Sequence, residues 1–271
     1  MYELKDKVAV VTGAGSGIGR ALAQLLAARG CKLALADINE DGLKETTASL
    51  QTEVLTHKLD VADRSAVYAF AEAVTAKFGA AHVVINNAGV SVSQTVEKLE
   101  YQDFEWLMGI NFWGVVYGTK AFLPGMLARN EGVIVNISSV FGIIAVPTQS
   151  AYNAAKFAVR GFTESLRHEL AATKVKAICV HPGGIKTNIV RNARMYTDLK
   201  GRSDKQLMMD EFQRMAATTP EQAAETIVRG IERGKPRVLI GADAWFIDWL
   251  QRWMPVRYWS VLGPLVNRLS Q

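Results

Sequence analysis

Short apolar runs alternating with longer stretches of helical periodicity are what most limits the folds open to this chain. KVAVVT is a β-branched run, and IGRALAQLLAARG follows it with apolar residues at helical spacing and Gly30 as its stop. KLALAD pairs with NEDGLKETTASL, and EVLTHKLD with DRSAVYAFAEAVTAKFG. HVVINNAG is followed by a helix expected over Glu100 to Arg129. GVIVNISS precedes the helix SAYNAAKFAVRGFTESLRHELA, and VKAICVHPGG and PRVLIG flank the helix PEQAAETIVRGIERG. Strands of this length joined by helices pair in parallel through right-handed crossovers. The runs are apolar on both faces, as a sheet covered on both sides requires. The expected fold is a Rossmann-type α/β domain, a doubly wound sheet of seven parallel strands flanked by helices.

Composition narrows the classes. With 49% hydrophobic and 21% charged residues the chain is globular rather than disordered. The net charge of +5 comes without a Lys/Arg run, so no nucleic-acid partner is expected. Cys31 and Cys179 lie in apolar runs, which argues against a disulfide framework and for a reducing, cytoplasmic setting. His57, His82, His168 and His181 have no ligand spacing, and no metal is expected. The amino-terminal residues do not read as a signal peptide, and no apolar run reaches membrane-spanning length.

The first strand ends in TGAGSGIG, with Gly13, Gly17 and Gly19 at a strand-to-helix turn that includes Ser16 and Ile18. Glycine permits a tight turn and close approach to a pyrophosphate, and the helix start offers free N–H groups. Asp37 closes the second strand, 20 residues beyond Gly17. A carboxylate there accepts from ribose hydroxyls and repels a 2′-phosphate, which favours NAD over NADP. No Lys-Ser/Thr follows the loop, so a nucleotide triphosphatase is not expected.

Tyr152 and Lys156 are four apart in a helical pattern and share a face. A neighbouring cation is expected to lower a phenol towards working pH. Ser139 lies just past a strand end, where open sheets hold ligands. Asn111 falls in the long helix after the fourth strand.

Together these motifs are specific: Thr12 to Gly19, Asp60, Asn86 to Gly89, Asn111, Ser138-Ser139, Tyr152-x-x-x-Lys156, and Pro182 to Thr187. In order and spacing the chain resembles the short-chain dehydrogenase/reductase family, single-domain branch, over about Lys5 to Gly241. The resemblance implies Tyr152 as general acid/base, with Lys156 on the nicotinamide ribose and lowering the Tyr152 pKa. It implies Ser139, rather than its neighbour Ser138, on the substrate oxygen, and Asn111 holding a relay water. Asp60 and Val61 would meet the adenine, and Asn87, Ala88 and Gly89 would pack along the cofactor. Pro182, Gly183, Ile185 and Thr187 would meet the nicotinamide end. The implied partners are a small-molecule alcohol or ketone and further copies of the chain, as a dimer or tetramer.

Pocket candidates are Val90, Val92, Phe141, Ile143, Val146 and Gln149, with Ser139 and Tyr152. Their mostly apolar character suits a hydrophobic alcohol or ketone. Residues 188–218 break the strand–helix rhythm and are expected to form a substrate lid with short helices. The basic residues Lys186, just before it, and Arg191, Arg194, Lys200 and Arg202 within it offer either an anion contact or a solvated face.

The catalytic domain is expected to span 1–241, leaving a tail at 242–271. Trp245, Phe246, Trp249, Leu250 and Trp253 recur at helical steps as one amphipathic stripe, ended by Pro255. Tyr258, Trp259, Leu262, Leu265, Val266 and Leu269 suggest a second helix. The tail carries Arg252, Arg257 and Arg268 against the acid Asp248. Its stripe should be covered by the domain, a second subunit or a membrane surface.

Overall fold

A computed structural model of the chain describes residues 2–198 and 201–269. In chain order the elements are β1 (Val8–Thr12), α1 (Gly17–Ala28), β2 (Lys32–Asp37), α2 (Glu40–Thr47), β3 (Val54–Lys58), α3 (Arg64–Phe78), β4 (Val83–Asn86) and β5 (Val92–Ser93). There follow α4 (Tyr101–Met108), α5 (Gly114–Arg129), β6 (Gly132–Ile137), α6 (Ser150–Glu169), β7 (Val175–Pro182), β8 (Arg194–Met195) and α7 (Lys205–Met215). The chain continues with α8 (Pro220–Glu232), β9 (Arg237–Ile240), α9 (Ala242–Trp253) and α10 (Tyr258–Leu269).

The main sheet has seven strands in the order β3-β2-β1-β4-β6-β7-β9, and every pair is parallel. The seven apolar runs of the sequence are these seven strands. Alternate residues feed two cores, one on each face of the sheet. Ala9, Val11, Leu33, Leu35, Val83 and Ile85 pack on one side with Leu22 and Leu26 of α1 and Ile227 of α8. Val8, Val10, Ala34, Ala36 and Val84 pack on the other with Phe70 of α3 and Phe122 of α5. Burying a leucine or phenylalanine of this kind stabilises by about 1.5–3 kcal/mol.

The helices begin and end where local chemistry dictates. Asn39, Asp63 and Asp204 cap α2, α3 and α7 by accepting a main-chain N–H. Thr219 and Gln222 form a reciprocal capping box ahead of α8, with Pro220 in its first turn.

Three features depart from the sequence reading. The helix expected over Glu100 to Arg129 is α4 and α5 joined by a five-residue π-turn, Gly109–Trp113, which holds Asn111. Such a turn is invisible to a 3.6-residue period because it inserts one residue without ending the helix. The second feature is a small parallel pair of β5 with β8, bringing the start of the 188–218 segment beside Val92 and Ser93. Two-residue strands carry no alternation to detect. The third concerns the tail. Leu250 does not share the tryptophan stripe; it is buried, while Trp245, Phe246, Trp249 and Trp253 face outward.

The inner side of the tail packs on the loop after β6. Ala244 and Ile247 meet Val140, Phe141 and Ile143. Leu250, Met254, Tyr258, Trp259 and Leu262 meet Ile144 and Val146. The Tyr258 hydroxyl donates to the Ala145 carbonyl at 3.1 Å and accepts from its N–H at 3.0 Å. No helix among the described residues is long and apolar enough to cross a membrane.

Candidate active site

The chain order reverses between β1 and β4, and every functional candidate up to Thr187 gathers around the carboxyl ends of β1, β2, β3, β4, β6 and β7 or on the helices beside them. A doubly wound sheet opens a crevice at such a reversal.

On the β1 side, Gly13 and Gly17 take φ of +67° and +53°. A Cβ on Gly13 would stand 2.8 Å from the Ala88 Cα, and one on Gly19 only 2.0 Å from the Gly13 carbonyl oxygen. The Thr12 hydroxyl accepts from the N–H groups of Asn87 and Ala88 at 3.0 and 3.1 Å, and the Asn87 amide donates to the Thr12 carbonyl at 2.9 Å. The glycine turn and N-N-A-G are therefore one braced unit. Ser16 precedes α1 without a side-chain cap, so the cap leaves the first N–H groups of α1 open to an anion. Asp37 accepts from Gly15 at 2.8 Å and from Asn39 at 2.9 Å. Its side chain thus lies against the glycine turn. Arg20, which the sequence did not single out, donates to the Gly15 carbonyl at 2.6 Å and pairs with Glu45 at 2.7 Å. Thr12 and Gly15 lie inside the quoted motif but were given no separate role; a threonine ending a β-strand ahead of the glycines was the available signal. Asp60 accepts from Ala62 at 2.9 Å, and Val61 packs under Gly114.

On the β6 side, the two serines divide. The Ser138 hydroxyl is buried and donates to the Lys156 carbonyl at 2.8 Å, tying the strand to α6. The Ser139 oxygen accepts from the Phe141 N–H at 3.1 Å and acts on Tyr152. Tyr152 is half-buried, edge-on to Phe141 at 6.0 Å. Lys156 is buried, donates to the Ile137 carbonyl at 2.9 Å, and stands 5.5 Å from the Tyr152 ring centre. Gly89 lies between Asn111 and Lys156: its absent Cβ would be 3.3 Å from one side-chain tip and 3.7 Å from the other. Asn111 accepts from the Val90 N–H and donates to the Val90 carbonyl, both at 2.8 Å.

The electrostatics differ from expectation. Burial pushes Tyr152 up to about 12, only partly opposed by Ser139. Burial pushes Lys156 down to about 8. Burial is the leading cause for both groups, because it disfavours the charged form of each, and the direction for Tyr152 is opposite to the lowering expected from a neighbouring cation. Behind the site His181 is fully buried, its Nδ1 2.9 Å from the Ser139 carbonyl oxygen, and burial lowers it to about 4.

The β7 loop is held from the tail. Asp243 of α9 accepts from the Gly184 N–H at 2.7 Å, and a Cβ on Gly183 would push against its carboxylate. The sequence reading of the tail passed over this second acid. Ile185 is buried in the core and bridges to Thr218, so it offers the crevice its main chain more than its side chain. Thr187 faces Gly17, whose Cβ would be 3.2 Å from its methyl.

Among the pocket candidates Val92 and Ile143 are core residues. Phe141 and Val146 pack on the tail, and Gln149 accepts from Ser91 at 3.2 Å. In the 188–218 segment, Arg194 pairs with Asp103 at 2.6 Å and lies 3.8 Å from the Trp106 ring centre. Arg202 binds Glu211 at 2.7 Å and also Asp198. These two arginines are occupied within the chain; Lys200 lies outside the described residues.

The short chain dehydrogenase family model matches residues 7–197. SadH of Mycobacterium tuberculosis is 52% identical over 264 residues, covering 95% of this chain and 94% of that protein. Estradiol 17-beta-dehydrogenase 11 of Macaca fascicularis is 32% identical over 96% of this chain and 83% of its own length. Among solved structures, a short chain dehydrogenase/reductase from Burkholderia phymatum in complex with NAD is similar with a TM-score of 0.87. It is 31% identical, and the match covers 94% of this chain and 95% of that one. With this geometry and these matches, the chain belongs to the short-chain dehydrogenase/reductase family of oxidoreductases.

Proposed function

We propose that the protein transfers a hydride between NAD(H) and a hydrophobic alcohol or ketone, with Tyr152 as the proton-transfer residue. The observation that carries this reading is the convergence of Ser139, Tyr152 and Lys156 beside the glycine turn. The residues fit a dinucleotide: positive-φ glycines that admit no side chain, an uncapped helix start, and a carboxylate at the end of β2. Gly13, Ser16, Gly17, Ile18 and Gly19 would cradle the pyrophosphate, Asp37 the adenosine ribose, and Asp60 with Val61 the adenine. Asn87 to Gly89, and Pro182, Gly183, Ile185 and Thr187, would line the nicotinamide end.

When bound, the cofactor supplies or accepts the hydride. In reduction Tyr152, protonated at neutral pH, gives its hydroxyl proton to the substrate oxygen while Ser139 orients that oxygen. In oxidation Tyr152 takes the proton back. Lys156 would hold the nicotinamide ribose; in doing so it trades the Ile137 carbonyl for hydroxyls and brings its charge to bear on the phenol. An amide has four hydrogen-bonding places and Val90 takes two, so Asn111 would hold a relay water with the others.

The pocket reading rests on Phe141 and Val146, apolar and backed by the tail, and on residues 188–218 as a lid over the crevice. The similarity to an estradiol dehydrogenase supports a hydrophobic substrate class. The domain is read as 1–241, acting in the cytoplasm as a homo-oligomer.

Tyr152→Phe should lower turnover by at least about 100-fold, the scale of a lost general acid, while NADH fluorescence titration stays unchanged. Turnover within a few-fold of the parent refutes the role of Tyr152. NADH binding with no turnover by the parent on aliphatic, steroid or polyol alcohols would favour a nucleotide-binding regulator instead.

A further inference from the structure

The outward side of α9 is a ladder of aromatic rings. Trp245, Phe246, Trp249 and Trp253 are 63%, 43%, 56% and 74% exposed. Phe246 stacks on Trp249 with ring centres 6.4 Å apart, and Trp249 meets Trp253 at 6.5 Å. Val256, 88% exposed, carries the apolar strip into the turn before α10. The inner side of the same helix is already satisfied, with Ala244 and Leu250 buried against the domain.

Apart from Asp243, the exposed charges on and next to this helix are basic. Arg252 and Arg257 are exposed beside it. Arg233 and Lys235 are exposed in the turn into β9, whose first residue, Arg237, reaches Asp248 of α9 at 2.6 Å. The carboxylates of α9 are turned to internal partners. Asp248 is shared between Arg237 and Arg252, and Asp243 accepts from the Gly184 N–H.

We propose that the outer face of α9, with the α9–α10 turn, docks on an anionic lipid bilayer. Indole rings have an apolar body and a polar N–H, and favour the headgroup level of a membrane. Flanking arginines gain from an anionic surface. A second copy applied to this face through a two-fold axis would bring like charges together, with no exposed carboxylate of α9 other than Asp243 to receive them. The helix has 12 residues, about 18 Å in length, so it lies in the plane of the interface rather than across it. Its inner side backs Phe141 and Ile144, so the docking surface and the wall of the pocket are two sides of one element.

The test uses the full chain with vesicles of phosphatidylcholine, alone or with phosphatidylglycerol added. The chain should sediment with the anionic vesicles, shift its tryptophan emission to the blue, and be released by salt. Trp249→Ser combined with Trp253→Ser should weaken binding at least about tenfold with an unchanged melting temperature. If that pair fails to fold, Arg257→Gln, a change at an exposed residue, should weaken binding to anionic vesicles alone. A full chain left in the supernatant with anionic vesicles overturns the proposal, as do variants that sediment as well as the parent. A native mass that halves in the tryptophan variant assigns the face to a second copy and overturns it too.

Discussion

Around Gly13 the crevice is shaped by main chain, and around Phe141 it is shaped by side chains. On the first side, positive-φ glycines, Thr12, Asn87 and Asp37 fix one backbone strand against another through hydrogen bonds of 2.8 to 3.2 Å. On the second, a short loop after β6 is propped by apolar contacts from α9 and α10, with Tyr258 and Asp243 as the polar ties. Backbone contacts are indifferent to side-chain size except where a Cβ intrudes; apolar packing changes with every methyl group. The cofactor side should therefore tolerate little, and the tail side should be where pocket shape is adjusted.

The largest effect that would break this contrast is steric. Gly13→Val puts a branched side chain at positive φ, with its Cβ 2.8 Å from the Ala88 Cα. It should weaken NADH binding at least about 100-fold, roughly 2.7 kcal/mol. Gly79→Ala has nearly the same φ with nothing within 4 Å, and should cost only about 1 kcal/mol of stability through strain. Equal losses in urea unfolding and NADH titration would show that conformation, not the Ala88 contact, matters at Gly13.

Acid should find the weak point behind the substrate side. His181 has no partner on Nε2 among the described residues and is held at about 4 in the fold against an ordinary 6.5. As pH falls below 6.5 the unfolded chain takes up a proton that the folded chain refuses. Stability is thus lost between pH 6.5 and 4, by up to about 3 kcal/mol. Urea titrations at pH 7 and pH 4.5 should show a smaller loss for His181→Gln. An equal loss in both proteins would place the acid sensitivity elsewhere.

On the cofactor side, Asp37 is followed by Ile38 and Asn39, and Arg20 is engaged by Glu45. NAD should be preferred to NADP in kcat/KM by at least about tenfold, near 1.4 kcal/mol. Asp37→Ser with Ile38→Arg should narrow or reverse that ratio; equal use of both cofactors by the parent would refute the reading of Asp37.

The smallest effect sharpens the place where the two regions meet. Asp243 reaches from the tail to the Gly184 N–H, in the loop that would cover the nicotinamide. Asp243→Asn keeps an acceptor but removes the charge, and should raise the KM for NADH a few-fold, about 1 kcal/mol, with kcat little changed. Asp243→Ala should do more. If neither moves KM, the tail props the substrate loop alone.

The sequence by itself determined the seven strands, their parallel pairing and the glycine turn after β1. These rest on local patterns: apolar runs, glycines where φ must be positive, and an acid at a strand end. It also brought Tyr152 and Lys156 to one helix face, because four residues make about one turn. Only the tertiary structure decided the rest. Ser138 and Ser139 are adjacent in sequence, yet one is tied to α6 and the other faces Tyr152, a difference set by how strand and helix pack. The Tyr152 pKa follows the dryness of its surroundings, which no spacing reveals. Asn111 depends on a π-turn that repeats no period. In the tail, Leu250 and Trp249 are neighbours in an apolar run, but one is buried and the other exposed. Which side of an amphipathic helix meets the domain is decided by the shape of the surface it lands on, here the loop from Val140 to Val146, more than a hundred residues away in sequence.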